Sequence, residues 1–338
     1  MQIGVDALDF VGSGLNRPEC VVAHASGRLF VPDWTGNGGI AVVSPAGDVR
    51  RILVNDVKGE PLRPNGIALE PGGTVLMAHL GAERGGLFRL HPDGRVDTVL
   101  DAVGGRPLPP CNFPLLDARG RIWLTVSTRK VPRALGYRPG EGDGFVVLVE
   151  GGSARIVADG LGYTNECALS PDGGTLFVNE TFARRLSAFT VAGDGGLGGR
   201  RTVATFGRGT FPDGLAMDED GGLWVTSIVS NRVIRVGGDG ALETVIEDSD
   251  EQHLDAVEMA FAEGTMGRPH LDVARGRRLR NVSNLAFGGD GMRTAFLGCL
   301  LGDAVARFDA GIAGAKPVHW NYDMTGWFER QEGTPCPA

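Results

Sequence analysis

The sequence predicts an all-β fold: a six-bladed β-propeller with four-stranded blades and a short helical insertion between blades 5 and 6. Three observations lead to this prediction: a repeated register of polar residues and glycines, apolar stretches of strand length after each glycine, and repeat spacings close to the length of a blade. The 338 residues include 54 glycines and 19 prolines, and 42% are hydrophobic. Such a composition supplies a core that many turns divide into short pieces. Because closed all-β folds are often this long, we expect one propeller domain over residues 1–338.

The register is a polar residue followed eight positions later by a glycine, with a short apolar stretch between them. It occurs in the segments PECVVAHASG, PNGIALEPGG, CNFPLLDARG, TNECALSPDG, PDGLAMDEDG and SNLAFGGDG. The polar residues, called the register residues below, are Glu19, Asn65, Asn112, Asn165, Asp213 and Ser283. Residues at one position of a repeat occupy equivalent places in each copy. In a closed ring, these six side chains would converge on one axis.

Each glycine is followed by a second apolar stretch and usually by a third. The second stretches are RLFVPDW, TVLMAHL, RIWLTVST, TLFVNET, GLWVTSI and RTAFLGCL. Third stretches such as GGIAVVSPAGDV often run through a glycine-rich turn into a fourth, such as VRRILV. Short strands separated by turns at this rate are typical of all-β proteins. The register residues are spaced by about 46, 47, 53, 48 and 70 residues, and most of these intervals match one blade.

The last interval is longer than the others and predicts an insertion over roughly residues 249–281. Leu254, Val257 and Phe261 fall on one helical face, and Ser249 and Gln252 have the spacing of a capping box. We therefore predict a short helix there. A second insertion, STRKVPRALGYRPGEGDG, falls within blade 3. Either insertion could overhang one mouth of the ring, and the alternative is a surface loop.

Charge argues against two classes of partner. The formal net charge is -8 and the pI is near 5.3, whereas nucleic acids and anionic membranes require a basic face. Arginines do cluster from Arg268 to Arg280, where we expect a solvated surface. No stretch approaches the roughly 18 apolar residues of a membrane helix. We expect a small-molecule substrate and neither a nucleic-acid nor a membrane partner; the oligomeric state stays open.

The N-terminus and the cysteines bear on the compartment. MQIGVDALDF lacks the basic segment and long apolar run of a signal peptide, so we predict a cytoplasmic protein. The five cysteines are an odd number without CxxC spacing. A disulfide framework or a thiolate zinc site is therefore not expected.

Oxygen-bearing side chains at one depth of a channel suit a cation. Glu19 and Asp213 would bring two negative charges, and Asn65, Asn112 and Asn165 would bring amide oxygens. Two carboxylates balance one divalent ion, and all-oxygen ligation favours Ca²⁺ first, then Mg²⁺ or Mn²⁺. Zn²⁺ and Fe²⁺ stay open as alternatives, although they usually recruit histidine or thiolate. The competing interpretation is that these residues merely mark the turn before each strand, which explains one position better than six aligned ones.

The chain resembles the family of senescence marker protein 30, gluconolactonase and luciferin-regenerating enzyme over nearly its whole length. The resemblance is carried by PECVV, by AHLGAERGGLFRL through CNFPLLDARGRIWLT, by TNECALSPDGGTLFVNETFARRLSAF, by PDGLAMDEDGGLWVT and by SNLAFGGDGMRTAFLG. It implies a six-bladed propeller with one divalent cation held in the channel by a glutamate, two asparagines and an aspartate. By motif these ligands correspond to Glu19, Asn112, Asn165 and Asp213.

The resemblance also implies hydrolysis of a lactone or a similar ester. A cation can polarise the carbonyl oxygen, lower the pKa of a bound water and stabilise the tetrahedral oxyanion. In the family the metal-bound aspartate is a candidate general base, which here is Asp213. His79, in an AHLG segment like that of bacterial gluconolactonases, is a candidate substrate contact, with a histidine satisfied at a strand edge as the alternative. Asn65 is expected to contact substrate or water, and Ser283 to close the ring without touching the ion.

Several departures from the family pattern bear on the substrate. The third-blade motif has Asn112 followed by Phe113, where sugar lactonases often have Asn-Asp, and the fourth has Asn165 followed by Glu166 instead of Asn-Gly. Glu166 should point away from the ligand side of an alternating strand, yet it could reach the site from the start of the strand, so it is a candidate substrate contact. The residues predicted to make the channel floor less polar are Phe113, Cys20, Cys111 and Cys167. An apolar or aromatic lactone or ester is therefore an alternative to a sugar lactone.

Other functions remain open at this point. The same scaffold could hydrolyse organophosphates or catalyse the metal-free condensation of strictosidine-synthase relatives, although retention of all four ligand types argues against the metal-free branch. A propeller that serves only as an interaction platform usually carries GH and WD signatures, which are missing here. A serine hydrolase is not supported, because no GxSxG motif is present.

Overall fold

The structure is a computed structural model that describes residues 2–56, 59–140 and 142–328. Cys336 and the rest of the predicted domain beyond residue 328 lie outside the described residues. After a 3-10 helix at Val5–Ala7, the chain forms β1 (Asp9–Val11). Blades 1 and 2 consist of β2 (Val22–Ala23), β3 (Leu29–Asp33), β4 (Gly39–Val43) and β5 (Val49–Leu53), followed by β6 (Pro64–Leu69), β7 (Val75–His79), β8 (Gly86–Leu90) and β9 (Val96–Leu100).

Blades 3 to 5 follow a two-stranded hairpin of β10 (Ala102–Val103) and β11 (Arg106–Pro107). Their strands are β12 (Cys111–Leu116), β13 (Ile122–Val126), β14 (Gly144–Glu150) and β15 (Ser153–Leu161); β16 (Thr164–Leu169), β17 (Thr175–Glu180), β18 (Arg185–Val191) and β19 (Leu197–Thr205); and β20 (Thr210–Met217), β21 (Leu223–Val229), β22 (Arg232–Val236) and β23 (Leu242–Glu247). The helices α1 (Glu251–Ala262) and α2 (Arg268–Leu271) come next. Blade 6 contains β24 (Val282–Gly288), β25 (Thr294–Cys299) and β26 (Val305–Asp309).

The N-terminal strand completes the last blade and closes the ring. β1 pairs antiparallel with β26, with Asp9 opposite Arg307, so the sheet order is β1-β26-β25-β24. The inner strands β2, β6, β12, β16, β20 and β24 contact one another in this order, and β24 contacts β2. The predicted six-bladed, four-stranded propeller is therefore confirmed.

The turn glycines confirm the predicted register. All six have positive φ angles between 59° and 82°, a backbone region that residues with a Cβ atom rarely adopt. Five of them close a turn by donating their N–H to the carbonyl three residues earlier. These glycines are Gly27, Gly73, Gly120, Gly173 and Gly221, and the sixth, Gly291, lies in a 3-10 helix at Asp290–Met292.

The insertion between blades 5 and 6 is helical, as predicted, but its N-cap is not Ser249. Asp250 caps α1, because its carboxylate accepts a hydrogen bond from the backbone N–H of His253 at 2.9 Å. The Ser249 hydroxyl instead donates to Glu247. The buried face of α1 contains the three predicted residues together with Ala260: Leu254, Val257, Ala260 and Phe261. None of the helices in the described residues has the length and apolar character needed to cross a lipid bilayer.

Blade 4 contains a buried carboxylate that should make stability depend on pH. Glu180 accepts hydrogen bonds from Arg185, Arg200, Ser187 and the backbone N–H of Gly162. Burial opposes ionisation, but these partners outweigh it and hold the pKa of Glu180 below its ordinary value of 4.5. A depressed folded-state pKa adds stability that is present above the unfolded-state pKa and is lost as the pH falls through the folded-state pKa.

We therefore expect Glu180→Gln to lower the free energy of unfolding by about 3 kcal/mol at pH 7, and by less at pH 3. Urea unfolding of both proteins at the two pH values measures the difference. Glu251→Gln is the matched control, because Glu251 forms an exposed ion pair with Arg208 and should contribute less than about 1 kcal/mol. An equal loss at both pH values would contradict the role of the Glu180 charge.

Candidate active site

The beginnings of the inner strands surround a small cavity at one mouth of the channel. Its volume is about 30 Å³, roughly the share of one water molecule in liquid water. Four of the six register residues line it: Glu19, Asn112, Asn165 and Asp213. Each of these residues is at most 7% exposed. The four residues predicted as metal ligands are thus brought together at one place.

Hydrogen bonds at this cavity leave acceptor oxygens unused. The side-chain amide nitrogen of Asn112 donates to the Ser127 hydroxyl at 3.2 Å, and that of Asn165 donates to the Thr181 hydroxyl at 3.0 Å. Both amides are thereby oriented by the ends of the second strands of their blades. The Oδ1 atom of Asn112 and the Oε2 atom of Glu19 are buried without a hydrogen-bond donor. Leaving such an oxygen unpaired costs about 1–3 kcal/mol, so a cation would relieve a real deficit.

Electrostatics at the cavity also favour a cation. Burial raises the pKa of the Asp213 carboxyl well above its usual range, and the negative charges of Glu19 and Glu166 raise it further, against the opposing effect of Arg133. A bound divalent ion would favour the ionised form. Among the described residues, no three His, Cys, Asp or Glu side chains form a metal-binding group. The four predicted ligands are two carboxylates and two amides. All of their donor atoms are oxygens and two of them carry negative charge, so the set fits a hard cation.

The other two register residues support the ring and do not line the cavity. The amide nitrogen of Asn65 donates to the backbone carbonyl of Asn112 at 3.2 Å, and the Ser283 hydroxyl donates to that of Glu19 at 2.7 Å. Each therefore fixes the backbone of a predicted ligand in the next blade. The Oδ1 atom of Asn65 is buried without a donor.

His79 lies away from this cavity, on the second strand of blade 2. Its Nδ1 atom accepts the backbone N–H of Arg63 at 3.0 Å, and its ring packs edge-on against Phe88. The Nε2 atom is 3.9 Å from a carboxylate oxygen of Glu60. Burial lowers the pKa of His79. These contacts match the alternative considered from sequence, a histidine satisfied at a strand edge.

Glu166 separates the small cavity from a larger one. Its carboxylate accepts the backbone N–H of Leu215 at 2.9 Å and the amide of Asn284, two blades away, at 2.8 Å. Burial raises its pKa to about 8. Glu166 lines a cavity of about 780 Å³ that opens at the other mouth, where the inner strands end. The alternation of the strand thus turns Glu166 away from the predicted ligands.

The apolar residues predicted for the channel floor also face elsewhere. Cys20, Cys167 and Phe113 line the large cavity, while Cys111 packs between blades 2 and 3. None of the four lines the small cavity of the predicted ligands, because alternate residues of a strand point to opposite sides. The four cysteines in the described part of the chain are free, in agreement with the predicted absence of a disulfide framework.

A family model described as the SMP-30/Gluconolactonase/LRE-like region matches residues 18–252. The chain belongs to this family. The match covers the inner strands that carry the predicted ligands of blades 1, 3, 4 and 5 and ends within α1. The predicted family resemblance is therefore confirmed.

Three curated relatives are similar to parts of this SMP-30/gluconolactonase-like chain. The first is protein strictosidine synthase-like 6 of Arabidopsis thaliana, 28% identical over 64% of the chain and 58% of the relative. The second is a 6-deoxy-6-sulfogluconolactonase of Pseudomonas putida, 25% identical over 68% of the chain and 65% of the relative. The third is lactonase drp35 of Staphylococcus saprophyticus, 26% identical over 62% and 64%. The chain thus spans less than two thirds of the length of each.

Solved structures of the same fold extend over most of the chain. A gluconolactonase from Xanthomonas campestris matches with a TM-score of 0.65 and 22% identity, covering 89% of each chain. A luciferin-regenerating enzyme matches with a TM-score of 0.65 and 17% identity, covering 94% of this chain and 98% of the other. At these identities the similarity establishes the propeller fold alone.

In this family member the cavity is also lined by residues that the sequence did not single out. They include Arg17, Arg133, Tyr137, Tyr163 and Thr181. Only Thr181 carried a usable signal, since the second stretches RIWLTVST and TLFVNET both end in hydroxyl residues. Arg133 and Tyr137 lie in the blade 3 insertion, which has no counterpart in the other repeats.

The two insertions cover the cavity. The buried face of α1 packs against Tyr137, Tyr163 and Phe182 in one apolar cluster, and Leu271 of α2 lines the cavity directly. Arg268 at the start of α2 is half-buried and forms an ion pair with Asp272. Arg275, Arg277 and Arg280 are exposed, as expected for the solvated surface predicted from Arg268 to Arg280. Both insertions overhang the mouth that holds the four predicted ligands.

Proposed function

We propose that this protein is a hydrolase that opens a lactone or a related ester, with one divalent cation held by Glu19, Asn112, Asn165 and Asp213. The observation that carries the proposal is the convergence of these four side chains on one cavity, where acceptor oxygens of Glu19 and Asn112 have no donor. Their all-oxygen chemistry favours Ca²⁺ first, then Mg²⁺ or Mn²⁺. Membership of the family and the printed names of two relatives support lactone hydrolysis.

The residues of the cavity have the roles that this hydrolysis needs. Water adds to the carbonyl carbon, the bond from that carbon to the ring oxygen breaks, and the ring oxygen takes a proton. A bound divalent cation supplies Lewis acidity for the carbonyl oxygen. Asp213 accepts the proton of the attacking water at a carboxylate oxygen and returns it to the ring oxygen. Asn165 hydrogen-bonds to Asp213 and thereby orients it.

The cover decides how substrate reaches these groups. A cavity of about 30 Å³ is too small for a lactone, so α2 or the blade 3 insertion must move when substrate binds. Once closed, Tyr163, Phe182 and Leu271 exclude bulk water from the reacting groups. Asn65, His79 and Glu166 line no part of this cavity, and we propose no direct substrate contact for them.

Metal content and a substrate panel test the proposal. We expect about one divalent ion per chain by elemental analysis and pH-stat turnover of one class among aldonolactones, aliphatic lactones and aryl esters. A chelator should abolish this turnover, and the added ion should restore it. Absence of a bound ion, or turnover that is indifferent to the chelator, would contradict the proposal.

The strictosidine synthase-like relative favours a second candidate, a condensation that needs no metal. The same panel separates the two: chelator-resistant condensation of an amine with an aldehyde, without lactone turnover, would support the second candidate. A phosphotriester added to the panel tests organophosphate hydrolysis.

A further inference from the structure

Guanidinium groups lie beside the candidate ligands, and those of Arg17 and Arg133 have donors that make no hydrogen bond. Arg17 is 8% exposed, yet its Nε and Nη2 atoms make no hydrogen bond. Its Nη2 atom lies 3.1 Å from Oε2 of Glu19, within ion-pair distance but without hydrogen-bond geometry. Unpaired buried donors of a charged group are expensive. They are expected where a ligand supplies the missing acceptor.

Arg133 is the second guanidinium of this group. It lines the same cavity, is half-buried and makes no hydrogen bond or ion pair within the residues that the structure describes. The negative charges of Glu19 and Asp213 and the phenols of Tyr163 and Tyr137 raise its pKa against the effect of burial. The Arg133 guanidinium is therefore always positively charged, and its N–H donors are free to bind a ligand.

Arg268 is the third and enters from α2. It does not line the cavity, and its Nε and Nη2 atoms donate to both carboxylate oxygens of Asp272, so its fork of donors is occupied. Burial opposes ionisation of Tyr137, but Arg133 and Arg268 outweigh it and lower the pKa of this phenol. Arg268 therefore adds positive charge but offers no free donors to a ligand.

The charges of this site do not balance once a cation is bound. Two guanidinium groups, Arg17 and Arg133, and two carboxylates, Glu19 and Asp213, line the cavity. A divalent ion would then leave an excess of two positive charges. A substrate that carries its own negative charge reduces this excess, whereas a neutral substrate does not.

Resting on the proposed function, we propose that the substrate is an anionic lactone, whose carboxylate, sulfonate or phosphate group binds Arg133 and Arg17 beneath the cover. Planar guanidinium forks match oxyanions of this kind through paired charge-assisted hydrogen bonds. Because Arg133 lies on the blade 3 insertion, binding of the anion also holds this covering segment closed over the reacting groups.

Paired lactones that differ in one charged substituent test the inference. One pair is D-galactono-1,4-lactone and D-galactaro-1,4-lactone, which adds a carboxylate; the other is D-glucono-1,5-lactone and its 6-phosphate. We expect kcat/KM to be at least about 10-fold higher for the charged member of one pair, and the pair that responds identifies the oxyanion. Arg133→Gln should bring this ratio close to one, mainly through KM. Arg133→Lys should restore part of it.

Arg307→Gln is the matched control, because Arg307 pairs with Asp9 on an outer strand and should leave the ratio unchanged. A higher kcat/KM for the neutral lactone in both pairs would overturn the inference while lactone hydrolysis itself stands. A ratio of kcat/KM values that Arg133→Gln leaves unchanged would do the same. If no lactone is hydrolysed, the proposed function fails and calorimetry decides the inference separately. Tighter binding of 6-phosphogluconate than of gluconate, lost in Arg133→Gln, would still support an anion site, and equal binding would refute it.

Discussion

Replacing Asp213 by asparagine is expected to lower kcat by about 100-fold to 10,000-fold, the usual contribution of a general base. The substitution keeps the shape of the side chain and an oxygen ligand but removes the proton acceptor. Stopped-flow or pH-stat turnover of the best lactone measures the effect. Metal content of the same sample separates loss of the base from loss of the ion.

Asp220→Asn is the matched control for this substitution. Asp220 is an exposed carboxylate in the turn that ends the same inner strand, and its removal should change kcat by less than about twofold. If Asp213→Asn retained the ion and near-normal turnover, Asp213 would not be the base. Attack would then have to be assisted by another group.

The second large effect is expected on metal binding. Glu19→Gln removes one of the two charges that balance the ion, and Asn165→Ala removes an amide oxygen, so each should lose most of the bound ion at micromolar concentrations. In the wild-type protein, ion at 100 times its Kd should raise the free energy of unfolding by about 2.7 kcal/mol. Thermal unfolding with and without the ion should show this gain in the wild type and little of it in either variant.

Ser283→Ala provides the control at the same register position. Its hydroxyl holds the backbone carbonyl of Glu19 without lining the cavity, so this variant should lose some stability and keep the ion. Full metal occupancy in both Glu19→Gln and Asn165→Ala would show that the ion binds at another site. Loss of the ion in Ser283→Ala alone would show that backbone placement, and not the side-chain ligands, limits binding.

The anionic-substrate inference gives the proposed lactonase a reason for its cover. In the ring alone, the four predicted ligands would face open solvent at the channel mouth. The blade 3 insertion adds Arg133 and Tyr137, and Tyr137 packs in one apolar cluster with α1 and with Tyr163 and Phe182, which flank strands of blade 4. Recognition of the anion is thus assigned mainly to a segment outside the repeat, and chemistry to positions within it.

Repetition made much of the fold predictable. The six turn glycines require a backbone conformation that few other residues tolerate, so they mark the same corner in every blade. The position eight residues before each glycine lies near the start of the inner strand, and four of those positions reach one cavity. The helical face of α1 was predictable for the same reason, because its apolar residues recur with a fixed period.

Positions outside the period were not predictable. Asp250 rather than Ser249 caps α1, because the Ser249 hydroxyl has a competing acceptor in Glu247. Glu166 directly follows a predicted ligand, yet it faces the other end of the channel. Local spacing describes neighbours along the chain, and these outcomes depend on partners that the fold brings from other elements.

By itself, the sequence determined the number of blades, the positions of the turn glycines and the set of oxygen donors. Each of these features recurs in every repeat, so the register of one repeat predicts the same position in the others. Only the tertiary structure decided which donors share a cavity, which side of the channel Glu166 faces, and that Arg17 and Arg133 line the same cavity. The reason is physical: the two arginines come from the N-terminal segment and the blade 3 insertion, and only closure of the ring brings such distant segments together.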